Sequence, residues 1–382
     1  MTLVTFWQSF SHQVVMQRYI NLIRGVIGMK NLVLLGGGYG NMRILSHILP
    51  DKLPEDYTIT LIDRMPYHGL KPEYYALAAG TKSDKDVRLK FPESEKLNIV
   101  YGDISAIDLD EQIVSVGDTK VDYDELVIGL GCEDKYHNVP GAEEYTYSIQ
   151  TLAKSRKTYH TISDLPTGSK VAIVGAGLSG IELASELRES RSDLDIRLYD
   201  RGERILARFP EKLSHYIEKW FKKNNVTVIP NSNINKVEPG VIYNHDEPEE
   251  VDIVVWTAGI HPVSVVRNLP VDVSKNGQVI VNQYHQIPTY QNVYVVGDCA
   301  NLPHAPSAQL AEIQGDQIAD VMTKQWKNEA LPDKMPELKI QGFFGSLGDK
   351  KGFAYVLDRP LTGRIASIMK SGILWLYKYH NG

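Results

Sequence analysis

The chain has 382 residues, room for two or three domains, and a formal net charge of −6 with ordinary charged and apolar fractions. That balance excludes a general affinity for nucleic acid, whose phosphates select basic surfaces. No apolar run reaches the ~18 residues that a bilayer span needs, and no His/Cys/acid cluster has metal-ligand spacing, so no metal is expected.

Residues 1–28 contain neither Asp nor Glu, and they set Phe6, Trp7, Phe10, Val14, Val15, Tyr19, Ile20 and Ile23 among Gln, Ser, His and Arg. A continuous apolar centre and a small-residue cleavage site are both missing, so this is not a secretory signal. The reading preferred here is an upstream start taken in place of Met29. An amphipathic membrane-contacting segment and an organellar presequence are the alternatives.

From Lys30 the run Lys-Asn-Leu-Val-Leu-Leu predicts a buried parallel strand. The loop that follows, GGGYGN at 36–41, suits a dinucleotide: Gly36 permits the tight turn and Gly38 lets backbone approach a pyrophosphate. A helix from about Tyr39 would aim its amides at that charge. The third glycine position is Asn41, a departure that loosens the helix–strand packing argument. The next strand, Thr58–Ile62, ends at Asp63, placed to bond a ribose. A β-rich excursion follows, with Asn98–Tyr101 and Gln112–Val116 predicted as antiparallel hairpins around the Gly117-Asp118 turn.

The second loop, GAGLSG at 175–180, repeats the plan with Gly175, Gly177 and Gly180 all present. Val171–Val174 leads in, a helix over Ile181–Leu187 follows, and the strand Asp195–Tyr199 closes on Asp200. An acid there favours a free 2′-hydroxyl, hence NAD(H), although the neighbouring Arg201 could accommodate the phosphate of NADP(H). Further on, Gln291–Val296 forms a strand ending in Gly297-Asp298-Cys299-Ala300, a turn able to bring a carboxylate to the ribityl chain of FAD. Cys132 and Cys299 form no CxxC or CxxxxC pair, which excludes a dithiol relay. They read as small buried residues in a reducing compartment. Beyond a Pro-rich linker at 331–336, the segment 361–379 lacks acids. It spaces Ile365, Ile368, Met369, Gly372, Leu376 and Tyr379 as one face of a helix, with Arg364, Lys370 and Lys378 as its charges. Such a helix can lie on an anionic membrane, or pack back on the body or into a homodimer contact.

Together these segments, with PYHGLKPEYYALAAG (66–80), YDELVIGLG (123–131), VPG (139–141), WTAGI (256–260), VYVVGDCA (293–300) and AQLAEIQG (308–315), resemble the flavoprotein disulfide reductase superfamily. Within it they resemble the type II NADH dehydrogenases. The resemblance implies an α/β chain with two Rossmann-like dinucleotide-binding domains, the NAD domain inserted in the FAD domain, and a short C-terminal region. On this reading 1–28 is an extension, 29–149 and 263–328 form the FAD domain, 150–262 the NAD(H) domain, and 329–382 the C-terminal region.

For FAD the resemblance implies Gly36, Gly38, Gly40, Asp63 and Asp298, with Gln309 at the flavin's edge. For NAD(H) it implies Gly175, Gly177, Gly180 and Asp200, with Glu182 beside the nicotinamide. Pro72, Gly259, Gly297 and Ala308 are further expected cofactor contacts. Gln309 and Gln314 would face a quinone, menaquinone or ubiquinone, with Glu182 and Glu312 as proton relays. One of the family's paired glutamines is Ile313 here, which puts the acceptor in question. The implied activity is NADH oxidation through FAD to a quinone without proton pumping, at the cytoplasmic face of a bacterial inner membrane. A soluble NADH:acceptor reductase and a flavin-bound redox sensor are the rivals.

Overall fold

Alternation along two short strands organises each half of the chain. The computed structural model describes residues 28–49 and 51–381, so the extension before Gly28 lies outside the described residues. In the strand Lys30–Leu35, Val33 and Leu35 enter one apolar cluster while Leu32 and Leu34 enter another on the opposite face. In Lys170–Val174, Val171 and Ile173 likewise part from Ala172 and Val174. A strand covered on both faces must be apolar throughout, and this is why neither run shows polar alternation.

The chain forms two units. Among the described residues the first comprises 28–68, 90–132 and 261–340; the second comprises 69–89, 133–260 and 341–381. The first contains a six-stranded sheet in the order Gln286–Ile287, Tyr290–Val295, Glu125–Ile128, Lys30–Leu35, Tyr57–Asp63, Leu97–Tyr101. All pairings are parallel except the first. The second contains a four-stranded parallel sheet, Val226–Ile229, Asp195–Tyr199, Lys170–Val174, Ile253–Trp256.

Each unit also inserts a three-stranded antiparallel meander before the strand that returns to its main sheet: 104–122 in the first and 234–250 in the second. The predicted turn at 117–118 closes one hairpin of the first meander. The stretch around Asn98–Tyr101 is not part of a hairpin. It is the parallel edge strand of the main sheet, in register with Tyr57–Asp63. Its apolar residues Leu97 and Ile99 pack on one sheet-face cluster and Val100 on the other, a distinction its short sequence does not carry.

The unit boundaries differ from those expected. Tyr75, Ala76, Ala78 and Ala79 share a core with Ile181, Leu183, Leu347 and Phe353, so 69–89 and the C-terminal segment both belong to the second unit. The C-terminal segment is a sheet of Gly342–Leu347, Lys351–Val356 and Arg359–Gly363, followed by the helix Arg364–Asn381. The Pro-rich stretch stays with the first unit, where Tyr284 and Gln317 donate to the carbonyls of Pro332 and Pro336 at 2.9 Å.

Candidate functional site

The two glycine loops are built alike. Gly36 (φ +86°) and Gly175 (φ +108°) each lie in the backbone region that side chains avoid, and each donates its N–H at 2.8 Å to the neighbouring strand's last carbonyl but one or last, Ile62 and Tyr199. A Cβ on Gly36 would come within 2.6 Å of the Gly129 carbonyl oxygen. Gly38 and Gly177 are extended and start the helices Tyr39–Ile48 and Leu178–Ser190, with no side chain capping either one. By contrast, Thr151 and Ser307 cap the helices that follow them. Around Gly177 nothing would lie within 4 Å of an added Cβ, and around Gly38 the nearest atom would be 3.7 Å away. Uncapped N–H groups facing open space fit a pyrophosphate in both loops.

Each loop is tied to its acid in the same way. Asp63 Oδ2 accepts the Gly37 N–H at 2.6 Å and Oδ1 accepts that of Met65 at 2.7 Å. Asp200 Oδ2 accepts the Ala176 N–H at 2.7 Å and Oδ1 that of Gly202 at 2.8 Å. A carboxylate offers about four acceptor positions, so each acid keeps capacity for a ribose after these two bonds. Burial raises the Asp63 pKa against the opposing pull of those backbone donors. Arg201, beside Asp200, is exposed.

The third glycine position resolves the departure at Asn41. In the second unit Gly180 packs against the Gly175 carbonyl, and Thr257 Oγ1 donates to the carbonyls of Val174 (3.0 Å) and Gly175 (2.9 Å). In the first unit the roles are exchanged between the two positions. Asn41, 1% exposed, donates through Nδ2 to the carbonyls of Leu35 (2.9 Å) and Gly36 (2.8 Å). Opposite it, where the second unit has Thr257, stands Gly129, whose added Cβ would lie 2.7 Å from Asn41 Nδ2. The same two carbonyls are held in both units, once from the strand side and once from the helix side. Asn41 therefore tightens the loop rather than loosening it.

His68, absent from the expected site, is fully buried and bonds the Gly37 carbonyl through Nδ1 at 2.7 Å, its ring edge-on to Tyr39 at 4.8 Å. Burial pushes its pKa down to about 4. Its signal in the sequence was only the Tyr67-His68 pair.

At the end of the strand Tyr290–Val295, Gly297 (φ +72°) donates its N–H to Gln314 Oε1 at 2.8 Å. Gln314, expected to face the acceptor, is fully buried and also meets His285 Nδ1 at 3.4 Å. His285 in turn meets Gln317 Oε1 at 2.8 Å. Gln314 is thus a tie beneath the Gly-Asp turn. Gln309 and Ala308 are half-buried at the start of the helix Ala308–Trp326, whose first turn is capped by Ser307. The two cysteines, distant in sequence, meet this turn together. Cys132 donates to Asp298 Oδ2 at 2.9 Å and Cys299 to the Gly131 carbonyl at 3.2 Å. Both are buried, and burial pushes the Cys299 thiol pKa up. Glu312, in the same helix, has its pKa raised by burial to about 7, with Arg43 opposing and Asp316 reinforcing the shift.

In the second unit, Pro72 lies in the short turn Lys71–Glu73, and Gly259 (φ +134°) follows the last strand of the sheet. Glu182 is buried in the second turn of the helix after the loop. Its carboxylate is ion-paired with Lys370 and accepts the Ser346 N–H at 3.0 Å. The Lys370 ammonium also donates to Tyr75 Oη (2.6 Å) and Ser346 Oγ (3.0 Å). Burial raises the Glu182 pKa, opposed by Lys370 and the Ser346 amide. Lys370 was expected among the surface charges of an amphipathic helix. Instead it is 8% exposed, and Ala366 one turn earlier is fully buried. These two residues dock the helix, and Ile365, Ile368, Ile373, Trp375, Leu376 and Tyr379 are left facing outward. Among the described residues no helix is long and apolar enough to cross a membrane, and no group of ligands could hold a metal ion.

Paired Rossmann sheets, each with an uncapped glycine loop tied to an acid, define the class of two-dinucleotide oxidoreductases. The chain belongs to the pyridine nucleotide-disulphide oxidoreductase family, whose model matches residues 30–315. It is 58% identical over 355 residues to the NADH dehydrogenase-like protein YutJ of Bacillus subtilis, covering 93% of this chain and all of that one. A type II NADH:quinone oxidoreductase of Staphylococcus saprophyticus is 25% identical over 384 residues, covering 90% of this chain and 94% of the relative. The fold matches that of NDH2 from Plasmodium falciparum in complex with NADH, with a TM-score of 0.78, 16% identity, and 92% and 96% of the two chains covered. The protein is an NADH dehydrogenase-like flavoprotein oxidoreductase, with FAD and NAD(H) as its cofactors.

Proposed function

We propose that the first unit holds FAD at Gly36, Gly38 and Gly40 with Asp63 and Asp298, and that the second holds NADH at Gly175, Gly177 and Gly180 with Asp200. On this reading two electrons leave for a quinone. The duplicated loop-and-acid arrangement carries the proposal, since it presents two separate pyrophosphate cradles, each with its own ribose acceptor.

FAD, when bound, supplies the two-electron chemistry between nicotinamide and acceptor. The chain's own residues bind, orient and handle protons. Asn41, His68 and Thr257 fix the loop carbonyls, and Cys132 and Gln314 fix the Asp298 turn. Glu312, with a pKa near 7, holds a proton that it can release and regain at working pH. Glu182 is a buried carboxylate poised by Lys370 in the second unit.

The outward apolar face of the C-terminal helix, with Trp375 and the cations Arg364 and Lys378, supports peripheral attachment to an anionic membrane on the cytoplasmic side, where a quinone is reached. A second reading, NADH oxidation with a non-quinone acceptor, is favoured by Gln314: its amide is spent on Gly297 and His285, leaving Gln309 as the remaining glutamine for the acceptor.

One assay decides between them: NADH oxidation by the purified protein against menaquinone and ubiquinone analogues and an artificial dye, with and without anionic liposomes. Quinone reduction stimulated by liposomes, and reduced by Ile368→Asp, supports the first reading. Turnover with the dye alone supports the second. Flavin reduction too slow for turnover with any acceptor refutes both in favour of a redox sensor.

A further inference from the structure

At the end of the first unit's sheet opposite the glycine loops, the strand starts line an open cavity of about 420 Å³. It is lined by Lys30, Tyr57 and Glu125 from the first residues of three strands, by Asp56, and by Gln325 and Trp326 from the end of the long helix. Its volume is in the range of small-molecule pockets.

The cavity is organised around one carboxylate. Glu125 Oε1 accepts the Tyr57 hydroxyl and the Trp326 indole N–H, both at 2.7 Å. Among the described residues Oε2 has no hydrogen-bond partner, and no cation comes within ion-pair distance of the carboxylate. The Tyr57 and Trp326 rings stand 5.1 Å apart at 48°, making an aromatic wall beside it. The Lys30 ammonium rests 5.2 Å from the Tyr57 centroid, so this wall already accepts a cation. Burial raises the Glu125 pKa, opposed by Trp326, Tyr57 and Lys30 and reinforced by Asp124.

An anion would meet Glu125 and Asp56 against Lys30, the one cation in the lining. A neutral ligand would leave the carboxylate desolvated and unpaired. A hard metal ion needs more oxygen ligands than this aromatic wall supplies. A cationic head on an apolar stem satisfies both the carboxylate and the rings.

From this geometry we propose that the cavity is a binding site for a small organic cation. Its primary ammonium or guanidinium group sits on Glu125 and its short aliphatic stem lies along Tyr57 and Trp326. Lys30 competes for the same ring face, and Asp56 adds charge at the exposed rim.

The test is calorimetric titration of the full-length, FAD-loaded protein with n-butylammonium and n-butylguanidinium chloride, with n-butanol as the neutral isostere. Saturable binding of at least one cation, and none of the alcohol, is expected. Glu125→Gln should weaken it about tenfold or more, the scale of one charged hydrogen bond. Lys30→Met should tighten it a few-fold, which a purely structural tie at Glu125 would not produce. Should Glu125→Gln lose its flavin absorbance, Asp56→Asn and Lys30→Met decide instead: shifts in opposite directions support the site, and affinities equal to wild type overturn it. No saturable binding by wild type, or equal binding of butanol, also overturns it.

Discussion

Lys370→Met tests whether the second unit is held through a buried ion pair. The ammonium is the only cation paired with Glu182 among the described residues, and it also binds Tyr75 and Ser346. Removing one partner of a buried pair costs about 3–5 kcal/mol when the survivor must stay charged. Glu182 has an escape, because burial already raises its pKa and losing Lys370 raises it further. Below that raised value the folded protein retains the proton, while the unfolded chain releases it above the ordinary carboxylate range. The native state then binds more protons than the unfolded state, so stability falls as pH rises, by at most about 1.4 kcal/mol per pH unit. The variant should therefore lose little at pH 5 and about 3 kcal/mol or more at pH 8. Glu182→Gln/Lys370→Met should remove most of that pH-dependent part. Denaturant unfolding of the FAD-loaded protein at the two pH values measures this. A loss independent of pH, or a double variant no better than Lys370→Met, would refute the reasoning.

Three further outcomes follow from the geometry. Gly129→Thr should crowd Asn41 and cost about 1–3 kcal/mol with loss of flavin occupancy, while Asn41→Gly/Gly129→Thr recreates the second unit's arrangement and should recover most of both, read from thermal midpoint and the 450 to 280 nm absorbance ratio. Cys132→Val removes the donor to Asp298 and should weaken FAD binding by about 1 kcal/mol, roughly fivefold, in apoprotein titration, whereas Cys132→Ser should not. For Glu312 the folded pKa of about 7 exceeds the unfolded value, so ionisation destabilises the fold as pH rises from about 4.5 to 7. Glu312→Gln should leave stability unchanged at pH 4 and raise it by up to about 3 kcal/mol at pH 8, and it should flatten any limb near pH 7 in the pH profile of NADH oxidation.

The local grammar was legible because it is local. Apolar runs into Gly36 and Gly175, and acids at the following strand ends, are fixed by backbone sterics and period, and the structure has both acids bonded to their loops. The meander turn at 117–118 and the C-terminal helix were readable for the same reason. Partners chosen across the chain were not readable. Nothing in the sequence couples Asn41 to Gly129, because their exchange with Gly180 and Thr257 exists only once parallel strands bring position 129 beside the loop. Lys370 carries a charge that a helical wheel assigns to water. Only the sheet Gly342–Gly363, carrying Ser346 beneath it, and Glu182 beside it make burial affordable. Gln314 likewise reads as an exposed acceptor contact until the Gly297 amide needs a partner. The sequence by itself determined which residues make each turn and strand. Tertiary structure decided which polar groups are satisfied by which, since a buried hydrogen bond or ion pair depends on three-dimensional proximity that no one-dimensional spacing encodes.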